Sequence, residues 1–154
     1  MKKIILITGA TDGIGLEAAK LLAKQNHHLI LHGRNNEKLN QAKNIVEESA
    51  DNYRVSPKIS PKIDTLLADF SDFSDVKQLI KTINSQYPRI DVLINNAGVF
   101  KVGDSSTPYG IDLRVMVNTV VPYLLTKELL PLFPESGRII NLSSAAQALS
   151  LIHI

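Results

Sequence analysis

The chain has 154 residues, 44% hydrophobic and 21% charged, the composition of one ordinary folded domain and not of a disordered segment. Its formal net charge of +2 is too small to indicate a nucleic-acid partner. With no cysteine, it has no disulfide, no thiolate chemistry and no cysteine-based metal site.

Residues 3–8 hold the apolar run Ile4-Ile5-Leu6-Ile7 and read as a strand buried on both faces. Together with Met1-Lys2-Lys3, that run falls short of a signal peptide's apolar core. No segment is long enough to span a membrane, so a reducing, cytoplasmic setting is expected. Thr8-Gly9-Ala10-Thr11-Asp12-Gly13-Ile14-Gly15 follows, and residues 14–25 read as a helix. Strand, glycine-rich turn and helix form a setting in which phosphate is held. Glycine permits positive φ and close backbone approach, and the helix N-terminus offers unpaired N–H groups and its dipole. The pattern points to a dinucleotide site at a first βα turn, although a tight turn that binds nothing shares it.

His28-Leu29-Ile30-Leu31-His32 reads as the second strand. Asn36 to about Ser49 reads as a polar helix with Leu39, Ala42, Ile45 and Val46 on one side. Residues 51–62 contain Ser56-Pro57 and Ser60-Pro61 and read as a loop. Ile63 to Ala68 is the third strand, Ser74 to Gln86 a helix with Asp75 near its positive end, and Ile90 to Ile94 the fourth strand. Residues 99–107 are expected to be loop. Pro108 to about Leu132 reads as a long helix, with proline tolerated near its start, and Arg138 to Leu142 as the fifth strand. Repeated βα units imply a Rossmann-type, doubly wound parallel α/β sheet of strand order 3-2-1-4-5. The ligand crevice is expected at the carboxyl ends of strands 1 and 4.

Five features now stand in order: the Gly9, Gly13, Gly15 spacing; Asp69 after strand 3; Asn95-Asn96-Ala97-Gly98 after strand 4; Asn118 in the long helix; and Asn141-Leu142-Ser143-Ser144 after strand 5. From Thr8 to about Ala148 this set resembles the short-chain dehydrogenase/reductase family. The resemblance implies that Gly9, Gly13 and Gly15 carry a cofactor's pyrophosphate, with Thr11, Asp12 and Ile14 lining the loop. It implies that Asp69 accepts from the adenine amino group, whereas local chemistry allows an N-cap equally well. Asn95, Ala97 and Gly98 would line the ribose and pyrophosphate region. Asn96 reads instead as a turn residue that holds strands together.

The end of strand 2 bears on cofactor choice. His32-Gly33-Arg34-Asn35 has no carboxylate before Glu37 to bind a ribose 2′-hydroxyl. Arg34, beside Asn35, can form a charge-assisted fork with a 2′-phosphate, which favours NADP(H) over NAD(H). A solvated surface arginine is the alternative.

Family resemblance makes Asn118 the helix member of a catalytic tetrad. Pro122, four residues on, has no N–H, so in a continuous α-helix the Asn118 carbonyl lacks its usual partner. Ser144 matches the substrate-polarising serine, and Ser143 would be a strand-end residue. The proton-transferring Tyr-x-x-x-Lys of the family belongs further on, past Ile154. Tyr123 and Lys127 have that spacing, but they precede the serine, and Tyr123 lies about 500° of helix from Asn118. The spacing is read as coincidence.

Leu149-Ser150-Leu151-Ile152-His153-Ile154 is identical to the forward translation of CTG TCT CTT ATA CAC ATC, a transposon end used in sequencing libraries. Residues 1–148 are therefore expected to be a partial NAD(P)-binding domain, and 149–154 a non-native read-through tail; an ordinary apolar terminal strand is the alternative. Pro108-Tyr109-Gly110-Ile111 onward, through Leu129-Leu130-Pro131-Leu132-Phe133, resembles the retinol-dehydrogenase-like branch of the family. The expected function is NADP(H)-dependent interconversion of a small-molecule alcohol and a carbonyl, in a full-length protein that is a homo-oligomer. A non-catalytic nucleotide-binding protein on the same fold is the alternative. The glycine spacing and Asn95-Asn96-Ala97-Gly98 argue against a sugar-nucleotide epimerase. No metal site is expected.

Overall fold

The computed structural model describes residues 1–52, 60–100, 103 and 105–143. Continuous apolar runs form the inner strands β1 (Ile4–Ile7), β2 (His28–Gly33) and β4 (Val92–Asn95). β3 (Ile63–Leu67) and β5 (Arg138–Asn141) close the two edges, and the parallel order is β3-β2-β1-β4-β5, as the βα alternation implies. Side chains alternate across this sheet. Leu6, Ile30 and Leu93 point to one face, and Ile5, Ile7, Leu29, Leu31, Val92 and Ile94 to the other.

Helices cover both faces. Ala19 and Ala23 of α1 (Gly13–Lys24) pack on the Ile5–Ile7 side with Leu39, Val46 and Ala50 of α2 (Asn36–Asp51). Ile45 is exposed, so Ala50 completes the buried stripe of α2 where Ile45 was expected to join it. The other face is covered by Val76, Leu79 and Ile83 of α3 (Phe73–Gln86). Asp72 caps α3 by accepting from Ser74 N–H at 2.7 Å, so the cap is not Asp69. The expected loop over residues 51–62 falls largely outside the described residues.

The long helix differs from its sequence expectation in two ways. It begins at Leu113, not Pro108. Thr107-Pro108-Tyr109-Gly110 is a turn in which Gly110 N–H donates to Thr107 O at 3.0 Å, and Gly110 has φ +72°, which breaks helical propagation. Asp112 is the N-cap, accepting from Arg114 N–H at 2.8 Å. Nor is the helix continuously α. After α4 (Leu113–Val115) comes a π segment, Met116–Val120, in which Val121 N–H donates to Met116 O, and then α5 (Val121–Leu129). Pro122 explains the bulge: its ring would press on the carbonyl four residues back, that of Asn118, and a wider turn relieves the clash. A 3₁₀ turn, Leu130–Leu132, ends the element, and Val121, Leu125 and Leu129 pack beside α3.

Among the described residues β5 pairs with β4 and is the outermost strand on that side, with Ile140 45% exposed and Leu142, just past its end, 39% exposed. An apolar open edge is a template for pairing between chains. The chain is expected to self-associate on a sizing column at micromolar concentration. A sharp, reversible unfolding transition of a monomer would contradict this.

Candidate cofactor cleft

The carboxyl ends of β1, β2, β3 and β4 converge on a cleft of about 310 Å³. Its floor is the first βα turn. Gly9 has φ +64°, and a Cβ there would lie 2.7 Å from Ala97 Cα, so the turn of β1 and the turn after β4 touch backbone to backbone. Two side chains, those of Thr8 and Asn96, fix that contact, and a third, His32, holds Gly9 from β2. Thr8 Oγ1 accepts from Asn96 N–H and Ala97 N–H, both at 3.0 Å. Asn96 Nδ2 donates to Thr8 O at 2.9 Å and to Gly9 O at 2.8 Å. His32 Nδ1 accepts from Gly9 N–H at 3.3 Å. Asn96 thus ties the strands.

Thr11, Asp12, Gly13 and Ile14 line the same cleft. Asp12 is the N-cap residue of α1, yet its side chain makes no capping bond. Gly13 has φ +52° and open space where a Cβ would stand. Uncapped N–H groups, the helix dipole and room above the backbone fit a phosphate anion. Gly15 is buried below: a Cβ there would sit 2.3 Å from Gly9 O and 2.5 Å from Asn96 Nδ2. Its function is to let α1 pack against the turn.

Arg34, at the end of β2, and Asp69, Ala97 and Gly98 also line the cleft. Asp69 Oδ1 accepts from Ser71 N–H at 2.9 Å and from Ser71 Oγ at 2.8 Å, while Asp69 N–H donates to Asp75 Oδ2 at 3.0 Å. Asn35 lies one residue beyond Arg34, outside the lining, and caps α2 by accepting from Lys38 N–H at 2.9 Å. Asn95 is buried, its Nδ2 donating to Asn141 Oδ1 of β5 at 2.8 Å, and its own Oδ1 has no hydrogen-bond partner among the described residues. Asn118, in the π segment, clamps the loop after β4. Its Oδ1 accepts from Val99 N–H and its Nδ2 donates to Val99 O, both at 2.9 Å. Ser144 lies outside the described residues. Tyr123 is 63% exposed on α5.

Several lining residues are absent from the sequence expectations for the site, among them Val99, Leu113 and Val117 and, with the most distinctive chemistry, His32 and Phe70. His32 is buried, and its ring stacks on Phe70 with centroids 4.2 Å apart. Burial pushes its pKa down to about 4, against a weaker upward pull from the Ala68 carbonyl and the Asp69 charge. A polar residue at the carboxyl end of an otherwise apolar inner strand is the signal that marks it. No group of His, Asp and Glu suited to a metal ion occurs among the described residues. Nor, among those residues, is any helix long and apolar enough to cross a membrane.

A parallel sheet of this order, with a glycine turn opening a helix at its crevice, defines a Rossmann-type nucleotide-binding fold. The family model described as short chain dehydrogenase matches residues 3–154, and the chain belongs to that family. It is 33% identical over 153 residues to human retinol dehydrogenase 11, covering 98% of this chain and 46% of that protein. It is 34% identical over 148 residues to the chloroplastic short-chain dehydrogenase TIC 32 A of Brassica napus, covering 92% and 44%. The chain therefore spans about half the length of the curated relatives it matches. Among solved structures, a short-chain dehydrogenase from Sphingobium yanoikuyae in complex with NADPH superposes with a TM-score of 0.78 at 27% identity, over 97% of this chain and 56% of that one.

Proposed function

We propose that this chain is the cofactor-binding part of an NADP(H)-dependent oxidoreductase that interconverts a small-molecule alcohol and a carbonyl. One observation carries the proposal: the uncapped N-terminus of α1, the open space above Gly13 and the Arg34 side chain all line one cleft. Gly9, Thr11, Asp12, Gly13 and Ile14 would hold the pyrophosphate, with Gly15 supporting the turn. Asp69, Ala97 and Gly98 would bound the adenosine half, with Asn95 behind them, and Arg34 would meet the 2′-phosphate, whereas Asn35, expected beside it, lies outside the lining and caps α2. The nicotinamide, when bound, supplies or accepts the hydride. The NADPH complex of the Sphingobium yanoikuyae relative supports the cofactor class. The preference for NADP(H) over NAD(H) rests on Arg34 and on the lack of a carboxylate at the end of β2.

In this proposal Asn118 organises the proton relay and Ser144 polarises the substrate oxygen. The Tyr-x-x-x-Lys pair is encoded past residue 154, and the chain as given binds cofactor without turning it over. Residues 149–154 are read-through, which codons other than those of the transposon end would disprove. The whole protein is a cytoplasmic homo-oligomer, and its substrate is lipophilic, as the names of the retinol dehydrogenase relatives suggest.

The test is the longer gene. It is expected to encode Tyr-x-x-x-Lys within about twenty residues of Ser144, and its product to oxidise NADPH with carbonyl substrates. The present chain is expected to bind NADPH with no turnover. A longer gene without the pair, whose product binds NADPH but is inert, would favour the non-catalytic alternative.

A further inference from the structure

We infer that His32 is a positioning residue of the cofactor cleft: its two ring nitrogens tie the glycine turn to the opposite wall and so set the spacing between the pyrophosphate and adenosine halves of the site. This rests on the dinucleotide proposal above. Gly9 N–H donates to Nδ1 at 3.3 Å, which requires a bare Nδ1. Nε2 lies 3.1 Å from Ala68 O and must then carry the proton and donate. Only the neutral Nε2–H tautomer satisfies both partners. The backbone doubles the tie on each side. Ala10 N–H donates to His32 O at 2.9 Å, and Ala68 N–H donates to Gly33 O at 3.2 Å.

Gly9 stands in the floor and Ala68 in the far wall, beside Asp69 and Phe70. The ring itself borders the cleft and lies flat against Phe70, 13° from parallel. Any buried imidazole must find partners for both ring nitrogens; what singles out His32 is that its two partners, Gly9 and Ala68, stand on opposite walls of the cleft. With an apolar side chain here, Gly9 N–H and the Ala68 carbonyl would each lose a buried partner, and both walls would shift to find new ones.

Three substitutions separate the two bonds. His32→Asn keeps an acceptor near the place of Nδ1, His32→Gln reaches the place of Nε2, and His32→Phe keeps the stack and drops both bonds. Calorimetric titrations with NADPH and with adenosine 2′-monophosphate, which has no phosphate for the glycine turn, read the spacing, and thermal melts of the ligand-free chains read stability. His32→Phe is expected to weaken NADPH by about tenfold or more, the scale of one or two buried hydrogen bonds. The monophosphate should weaken by less than about threefold, and Asn and Gln should each recover part of the NADPH loss. Equal losses for both ligands, or a lowered melting temperature with NADPH affinity unchanged, would overturn the inference. Failure of the unaltered chain to bind either ligand would overturn the dinucleotide proposal, and this one with it. If His32→Phe does not fold, imidazole ¹⁵N shifts of the unaltered chain carry the test. A neutral Nε2–H ring whose signals move on NADPH addition supports the tie, and an Nδ1–H ring, or signals that NADPH leaves unmoved, overturns it.

Discussion

Gly15→Ala is expected to destabilise the fold by about 3 kcal/mol, the upper part of the usual overpacking range. The added Cβ would lie 2.3 Å from Gly9 O and 2.5 Å from Asn96 Nδ2. Neither neighbour can yield cheaply. Gly9 is held at its N–H by His32 and at its carbonyl by Asn96, and Asn96 also holds Thr8 O. Pushing α1 outward would instead strip Ala19 and Ala23 from the sheet. Gly13→Ala provides the contrast. Its Cβ meets nothing, and only the left-handed φ of +52° opposes it. That costs about 1–2 kcal/mol, but the methyl group would stand where the proposed cofactor's phosphate would approach. Urea unfolding midpoints should fall far more for Gly15→Ala than for Gly13→Ala, with NADPH affinity lost in both. Equal midpoints for the two variants would contradict this account of the turn.

Acid should weaken the fold through His32. Its folded pKa is about 4, below the ordinary 6.5. Between those values the unfolded chain binds a proton that the folded chain refuses, so stability rises with pH across that window and is lost as pH falls through it. Below about 4 both states are protonated and the penalty is constant; above 6.5 it vanishes. The full swing is about 3 kcal/mol. The charged group acting on the ring is Asp69, which pulls the other way. His27 is also held below its ordinary pKa, chiefly by burial and then by Lys3, and tilts the curve in the same direction. The comparison that isolates His32 is therefore the pH dependence of unfolding free energy in the unaltered chain against His32→Asn. The substituted chain should have a flatter curve between pH 4 and 6.5. Parallel curves would contradict the assignment.

The sheet is legible in the sequence because its inner strands are short apolar runs, and glycine, proline and polar segments separate them. Ile4–Ile7 has no partner in water, so burial on both faces and a parallel arrangement follow. The glycine turn is legible because its spacing, between strand and helix, has few structural solutions. Local polar chemistry is less so. Asp69 and Asp72 both stand ahead of α3, and only the geometry shows that Asp72 makes the cap. Pro108 suggests a helix start, but Gly110 two residues later takes positive φ and moves the start to Leu113. The proline at position 122 signals a missing hydrogen bond, yet a helix can answer that signal by kinking or by widening, and here it widens around Asn118. His32 shows why a strand-centred pattern misses site residues. It occupies an inward position that hydrophobic alternation assigns to core, and its function emerges only when Gly9 and Ala68 are brought to its two nitrogens.

The most direct test is a calorimetric titration of this chain with NADPH and with NADH at equal ionic strength. NADPH should bind about ten- to a hundredfold more tightly, the scale of charge-assisted hydrogen bonds from Arg34 to the 2′-phosphate, and Arg34→Ala should erase the difference. Equal affinities in the unaltered chain, or binding of neither cofactor, would contradict an NADP(H) cleft at the carboxyl ends of β1, β2, β3 and β4.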